Sequence, residues 1–223
     1  MSQDAVLAFL ADPATHGGVT PERLETHISV VFLAGERAWK LKKAVTLPFL
    51  DFATLEQRHA ACLTELEVNH AAAPGLYRGV VPVTRAPDGV LRIGGDGAVV
   101  DWLVEMRRFA QADLLSALLD AGRVDRRLIQ QVAEAAWNAH RQAPVRTDKG
   151  GVGGLARVID TNAATMAGLR AIIAPDRARA VTEASRALLD RLAPLLERRR
   201  ADGKVRRCHG DMHCGNICLF QGR

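Results

Sequence analysis

Aromatic residues are scarce in this 223-residue chain: three Trp, one Tyr and six Phe. A core with so few large rings has to be built from aliphatic side chains. Ala and Leu dominate, and both favour helices. Long apolar runs are missing too. No stretch approaches the roughly 20 apolar residues that a membrane span needs, so no membrane partner is expected. Met1-Ser2-Gln3-Asp4 places no basic segment ahead of the first short apolar run. No secretory signal is read there, and a cytoplasmic protein is expected. The four cysteines form no C-x2-C pair. Cys208, Cys214 and Cys218 cluster with His209 and His213, but the cluster lacks a second ligand arm, so neither structural zinc nor a disulfide framework is expected. Cys62 reads as a small buried hydrophobe.

The formal charge of +5 comes mostly from arginine. Arg198-Arg199-Arg200 and the run from Lys204 to Arg207 contain no aromatic residue on which bases could stack. They read as solvated helix ends opposing the negative C-terminal dipole, not as a nucleic-acid interface. Lys149-Gly150-Gly151-Val152-Gly153-Gly154 resembles part of a phosphate-binding loop. It lacks the following Lys-Ser/Thr and no strand precedes it, so it reads as a flexible connector.

What is present divides the chain by pattern. A short helix is expected over 4–11, with Ser2 as its cap. Thr20-Pro21 suits a helix start. His27 to Leu33 and Ala38 to Lys42 are apolar and alternating around Ala34-Gly35-Glu36-Arg37, a β-hairpin signature. A long helix is expected over 52–73, ending before Pro74-Gly75. Strands follow over 79–83, 90–93 and 98–104. Helices are then expected over 111–121, 125–142, 155–172 and 176–200, with Asp125 and Asp176 as caps. The composition shift near Glu105-Met106 marks a boundary. The expected class is α+β: residues 1–105 form a small antiparallel sheet with one long helix, and 106–223 are mostly helical.

Three features point to one chemistry. Lys40 and Lys42 share a strand face opposite Trp39 and Leu41, and such a lysine can reach nucleotide phosphates. Glu65 and Glu67 follow on the long helix. They point roughly 160° apart, so only one can face the lysines. Near the end stands His209-Gly210-Asp211-Met212-His213-Cys214-Gly215-Asn216. An Asp followed by an Asn at this spacing suits phosphoryl transfer, which needs a carboxylate near the nucleophile and a second oxygen donor on Mg2+.

That last motif resembles the catalytic loop of the aminoglycoside phosphotransferase family, small-molecule kinases with a protein-kinase-like bilobal fold. More narrowly, the chain is similar to bacterial proteins in which such a half precedes a P-loop ATPase half. The similarity extends through Glu25 to Ser29, Lys40 to Lys43, Phe49-Leu50-Asp51-Phe52 and Leu76 to Pro82. The resemblance implies an ATP- and Mg2+-dependent phosphotransferase acting on a small-molecule hydroxyl. Asp211 would be the catalytic base and Asn216 a metal ligand. Lys40, or alternatively Lys42, would bind phosphates, and Glu65 would anchor the lysine. His209 would steady the loop. Glu105 and Met106 would sit in the inter-lobe linker that meets adenine. The family's second metal-binding aspartate has no counterpart, since no acidic residue follows Asp211. The expectation is therefore a helical C-lobe that stops just after the catalytic loop, with Leu188, Leu192 and Leu195 uncovered and activity weak or absent. A P-loop ATPase half would be a missing partner. The alternative is a non-catalytic nucleotide-binding or partner-binding domain.

Overall fold

The alternation Ala38-Trp39-Lys40-Leu41-Lys42 builds the centre of the fold. A computed structural model describes residues 3–47, 50–70, 72–73 and 75–222; Ser2, Phe49 and Pro74, invoked above, lie outside them. Six strands form one antiparallel sheet: β1 (Glu22–Glu25), β2 (Ser29–Ala34), β3 (Arg37–Lys42), β6 (Tyr77–Arg85), β7 (Leu91–Ile93) and β8 (Ala98–Arg107). Their order is β1-β2-β3-β8-β6-β7. Strands β4 (Thr46–Leu47) and β5 (Leu50–Asp51) make a separate two-stranded ribbon. The β2–β3 turn is the two-residue Gly35-Glu36, and Gly35 takes φ 56°, the left-handed value that a tight hairpin needs.

Each face of the sheet carries a helix. Val6 and Leu10 of α1 (Asp4–Ala11) pack on Val30, Phe32, Trp39, Leu41, Val83 and Leu103 in an aliphatic core with two aromatic members. The opposite face of β3 meets α2 (Leu55–His70), which opens three residues later than its composition suggests. Thr54 and Gln57 explain the delay. Gln57 N–H donates to Thr54 Oγ1 (3.2 Å) and Thr54 N–H to Gln57 Oε1 (2.8 Å), a reciprocal capping box. The inward stripe of α2 is Arg58, Cys62 and Glu65, at i, i+4 and i+7; Arg58 and Cys62 are buried.

A second buried polar group closes the end of the sheet. Asp101, wholly buried, accepts from Arg58 Nε (2.8 Å), Gln3 Nε2 (2.8 Å) and the Trp102 N–H (2.9 Å). Arg58 Nη1 also donates to the carbonyls of Phe52 and Ala53, both at 3.1 Å. Gln3 in turn ties to β3 through the Lys42 carbonyl (2.7 Å). The segment before α1, the end of β3, β8 and α2 thus share one network.

The chain forms two compact units, residues 1–137 with 211–223, and residues 138–210. This division differs from the expected boundary at Glu105-Met106. Strand β8 runs through those residues to Arg107, and the units part within α4 (Arg126–Gln142). In the first unit α3 (Leu115–Asp120) follows a short 3-10 turn at Gln111–Asp113. Asp125 caps α4 as expected, with the Leu128 N–H donating to its carboxylate at 2.7 Å. In the second unit α5 (Gly151–Gly168) and α6 (Pro175–Ala201) form an antiparallel hairpin. Residues 144–146 pair with 205–207 beside it. Among the described residues no helix is long and apolar enough to cross a membrane.

Three local expectations are corrected. Thr20-Pro21 leads into β1, not a helix, because Leu24 and its neighbours find a strand partner in β2. The glycine run 149–154 is the opening of α5 and not a loose connector. Gly150 (φ 67°) and Gly151 (φ 60°) hold left-handed backbone. A Cβ there would meet Val205 at 2.8 Å and Glu197 at 2.5 Å. Glu197 then accepts the Val152 N–H (2.8 Å), supplying the anion that the helix start favours. Asp176 lies in the first turn of α6, paired with Arg179 at 2.6 Å, and Ala174 holds the cap position.

The Arg58–Asp101 pair sets a stability prediction. Asp101→Ala strands a buried guanidinium and should cost about 3–5 kcal/mol in urea denaturation at neutral pH. The double variant Arg58→Met/Asp101→Leu should recover most of that loss. A cost for the double variant equal to the sum of the costs of its two single variants would show that the pair is not coupled.

Candidate functional site

Glu65 stands against both lysines. Lys40 Nζ lies 2.8 Å from Glu65 Oε1, and Lys42 Nζ contacts Oε2. The two oxygens are divided between two donors, so the carboxylate has little freedom. Glu67 points to solvent, as the helical periodicity demands. The side chains differ in access: Lys40 is 27% exposed, Lys42 8% and Glu65 11%. Ser29, opposite Lys42 in the β2–β3 register, is buried with its hydroxyl unpartnered among the described residues. Lys42 also lies 5.7 Å from the centroid of the Phe52 ring.

Burial alone would hold the Glu65 proton on. The attraction of Lys40 and Lys42, with their hydrogen bonds, outweighs it and keeps the carboxyl below its ordinary value of 4.5. Two neighbours respond to the same centre. Burial pushes the Cys62 thiol up to about 11, with Lys42 and Glu65 acting in opposite directions. Burial likewise raises the Tyr77 hydroxyl, and the charges of Glu65 and Cys218 add to it. Tyr77 is therefore within electrostatic reach of both Glu65 and Cys218.

That segment is pinned to the same unit. The Leu115 N–H donates to the Ile217 carbonyl (2.8 Å) and the Leu219 N–H to the Asp113 carbonyl (2.8 Å), with Leu114 bridged to Cys218. A 3-10 turn at Cys214–Asn216 closes the loop. Asn216 Nδ2 donates to the Asp211 carbonyl (2.9 Å) and to Asp211 Oδ2 (3.0 Å). His213 was given no role by the sequence reading. Its Nδ1 accepts the Gly215 N–H (3.1 Å), and its Nε2 lies 3.0 Å from Asn216 Nδ2. Asp211 is 72% exposed. The motif straddles the two units: His209 and Gly210 belong to the second, Asp211 to Asn216 to the first. Among the described residues no group of three or more His, Cys, Asp or Glu could hold a metal ion. The oxygen donors at the loop are Asp211 and Asn216.

Glu105 and Met106 are not in a linker. Glu105 is in register with Trp39 and Gly79, and Met106 with Ala38 and Tyr77, so both sit inside the sheet. The chain leaves the sheet only after Arg107. The Glu105 side chain serves the strands, 3.6 Å from Arg37 and 3.4 Å from Arg78. Cavities of about 490 and 280 Å3 line α5 and α6 and include none of the expected site residues. Arg58, Asp101 and Gln3 escaped the sequence reading because their partners lie far along the chain. The capping box at Thr54 would have oriented α2 and placed Arg58 on its inward stripe.

The depressed Glu65 carboxyl fixes a pH dependence. A lowered folded-state value stabilises above about 4.5 and is lost as the pH falls through that lower value. Glu65→Gln should cost about 3 kcal/mol at pH 7, since it leaves Lys42 buried without its anion. The gap between variant and parent should close as the pH falls below 4.5. Chemical denaturation at pH 7 and at progressively lower pH measures both; a gap independent of pH would refute the ionic account.

No protein-family model matches the chain, and no solved structure matches it. Similar proteins occur in Mycobacterium tuberculosis and Mycobacterium bovis, each described as an uncharacterized protein. The chain is 34% identical to each over 119 residues, 53% of its own length. The matched stretch spans 22% of each relative's length.

Proposed function

We propose that this chain is the kinase-like part of a small-molecule phosphotransferase of the aminoglycoside phosphotransferase type. It would have a protein-kinase-like bilobal fold, act in the cytoplasm, and transfer phosphate from ATP with Mg2+ to a hydroxyl. A P-loop ATPase half would be its partner. The observation that carries this reading is the Lys40–Glu65 pair, set between a central strand and the helix behind it, in the same compact unit as the Asp211–Asn216 loop.

The residues fit the chemistry in kind. Lys40 is the lysine for phosphate, being the more accessible of the two, while Lys42 is largely consumed in holding Glu65. Asp211 is the acceptor for the proton of the substrate hydroxyl. Asn216 keeps the Asp211 carboxylate in place and offers its amide oxygen to a hard cation such as Mg2+. His213 braces the turn between them. A bound magnesium nucleotide would supply the phosphoryl group and offset its negative charge. A second reading, nucleotide binding without transfer, is favoured by the thin donor set, a single carboxylate and one amide at the loop.

Nucleotide binding and turnover separate the possibilities. At about 100 times its Kd, Mg·ATP should stabilise the chain by about 2.7 kcal/mol, a shift of a few degrees in Tm. Lys40→Met should abolish that shift while folding normally, because Lys42 retains Glu65. Asp211→Asn should keep the shift and lower phosphate transfer by about 100-fold or more. Binding with no Asp211-dependent turnover would leave the second reading. An unchanged shift in Lys40→Met would remove both.

A further inference from the structure

The charge of this chain is concentrated in one unit. Residues 138–210 hold fifteen Lys and Arg against seven Asp and Glu, a formal +8, so the remainder carries −3 of the chain's +5. The same unit presents an uncovered apolar face. On α6, Val181, Leu188, Leu192 and Leu195 are all exposed and recur at i, i+7, i+11 and i+14, one side of the helix. The stripe extends about 20 Å. Its two ends open into the cavities described above. Leu155, Leu195, Leu196 and Val205 floor the larger one, of about 490 Å3; Leu169 and Val181 enter the smaller, of about 280 Å3.

The rim at the larger end is basic. Arg198, Arg199 and Lys204 line it with one acid, Asp202, and none of these three cations has an ion-pair partner among the described residues. Arg200, next in sequence, is instead occupied by Glu197 and the Thr147 carbonyl. More positive charge stands here than opposing the helix dipole requires, and it borders an aliphatic trough.

We propose that the α5–α6 face is the docking groove for an acidic amphipathic helix of a partner protein. The occupant is elongated, because the stripe outruns either cavity. It is a rod, because the apolar anchors run along one side of a helix from one cavity to the other. It is acidic at one end, because the unpaired cations cluster at one end. It is not nucleic acid: the floor is aliphatic and offers no ring for a base to stack on. Helix-in-groove recognition needs such a pairing of apolar anchors with a charged rim. The proposal rests on residues 138–210 alone and is independent of any role for Asp211 or Lys40.

The test uses the full chain and a synthetic 21-residue helical peptide with Leu at every third or fourth position and Glu concentrated at one end. Fluorescence anisotropy should give a Kd of about 10 μM, weakening as salt is raised. The exposed double variant Arg198→Glu/Arg199→Glu should weaken binding at least tenfold, as should Leu195→Asp, with circular dichroism unchanged in both. A Lys-for-Glu peptide and a peptide of scrambled leucine order should bind at least tenfold more weakly. Parallel arms offer phosphatidylserine vesicles, duplex RNA, and the chain alone in sedimentation. Tighter binding to vesicles or RNA, self-association abolished by Leu195→Asp, or no peptide binding at about 1 mM would each overturn the proposal.

Discussion

Two lysines cannot face inward from alternate positions of one strand without an anion between them, and Glu65 is that anion. The constraint begins in the alternation of β3. Trp39 and Leu41 take the face that α1 covers, so Lys40 and Lys42 must take the other. That face is closed by α2, whose inward stripe is therefore polar: Arg58 below, Cys62 between, Glu65 above. A stripe of this kind gains little from apolar burial. Its specificity comes from charge placement, because a helix rotated or shifted by one residue would leave a buried lysine unpaired, at a cost of several kcal/mol. Arg58 repeats the device at the sheet end, where Asp101 draws in the segment before α1 as well.

The loop at Asp211–Asn216 obeys a different constraint. Its charged groups are solvent-exposed, so no buried pair fixes them. Backbone bonds do so instead. The strand-like bridge from 113–115 to 217–219 anchors the outgoing segment, and Asn216 and His213 tie the turn to itself. Gly210, at φ 81°, stands where the motif passes from one unit to the other. A side chain there would be strained in the left-handed region. This is a physical reason for glycine between His209 and Asp211.

Elements whose signal is local could be read from the sequence. The β2–β3 hairpin, α1, α2, β6, β8 and the long helices all followed from periodicity and turn residues. So did the placement of Lys40 and Lys42 on one face, with Glu65 as the inward glutamate. What escaped depended on distant partners. Strand β1 has only four residues, mostly charged, and exists because β2 presents an edge. The glycines at 150 and 151 look like a loose tether until Val205 and Glu197 are seen to crowd them. Glu105 and Met106 looked like a boundary because composition changes there, yet the ladder with β3 and β6 carries the strand through to Arg107. Gln3 meets Asp101 across 98 residues, a spacing that no local pattern can reveal.

The presence of two lysines, not one, has an electrostatic consequence. A single lysine facing Glu65 would form a neutral pair with little pull on an anion. Two ammonium groups and one carboxylate leave a net charge of +1 in a largely enclosed space. A unit charge about 4 Å from an anion there is worth about 4 kcal/mol at an effective dielectric of 20. Access decides where that surplus is expressed. Lys42 is sealed against Phe52 and Glu65, while Lys40 keeps part of its surface open. Its ammonium has three donor hydrogens, so one can serve Glu65 Oε1 while the others remain for an incoming oxygen. Lys42 thus supplies the charge that Glu65 would otherwise take from Lys40. The more deeply buried lysine leaves its exposed neighbour with donor hydrogens that Glu65 does not use.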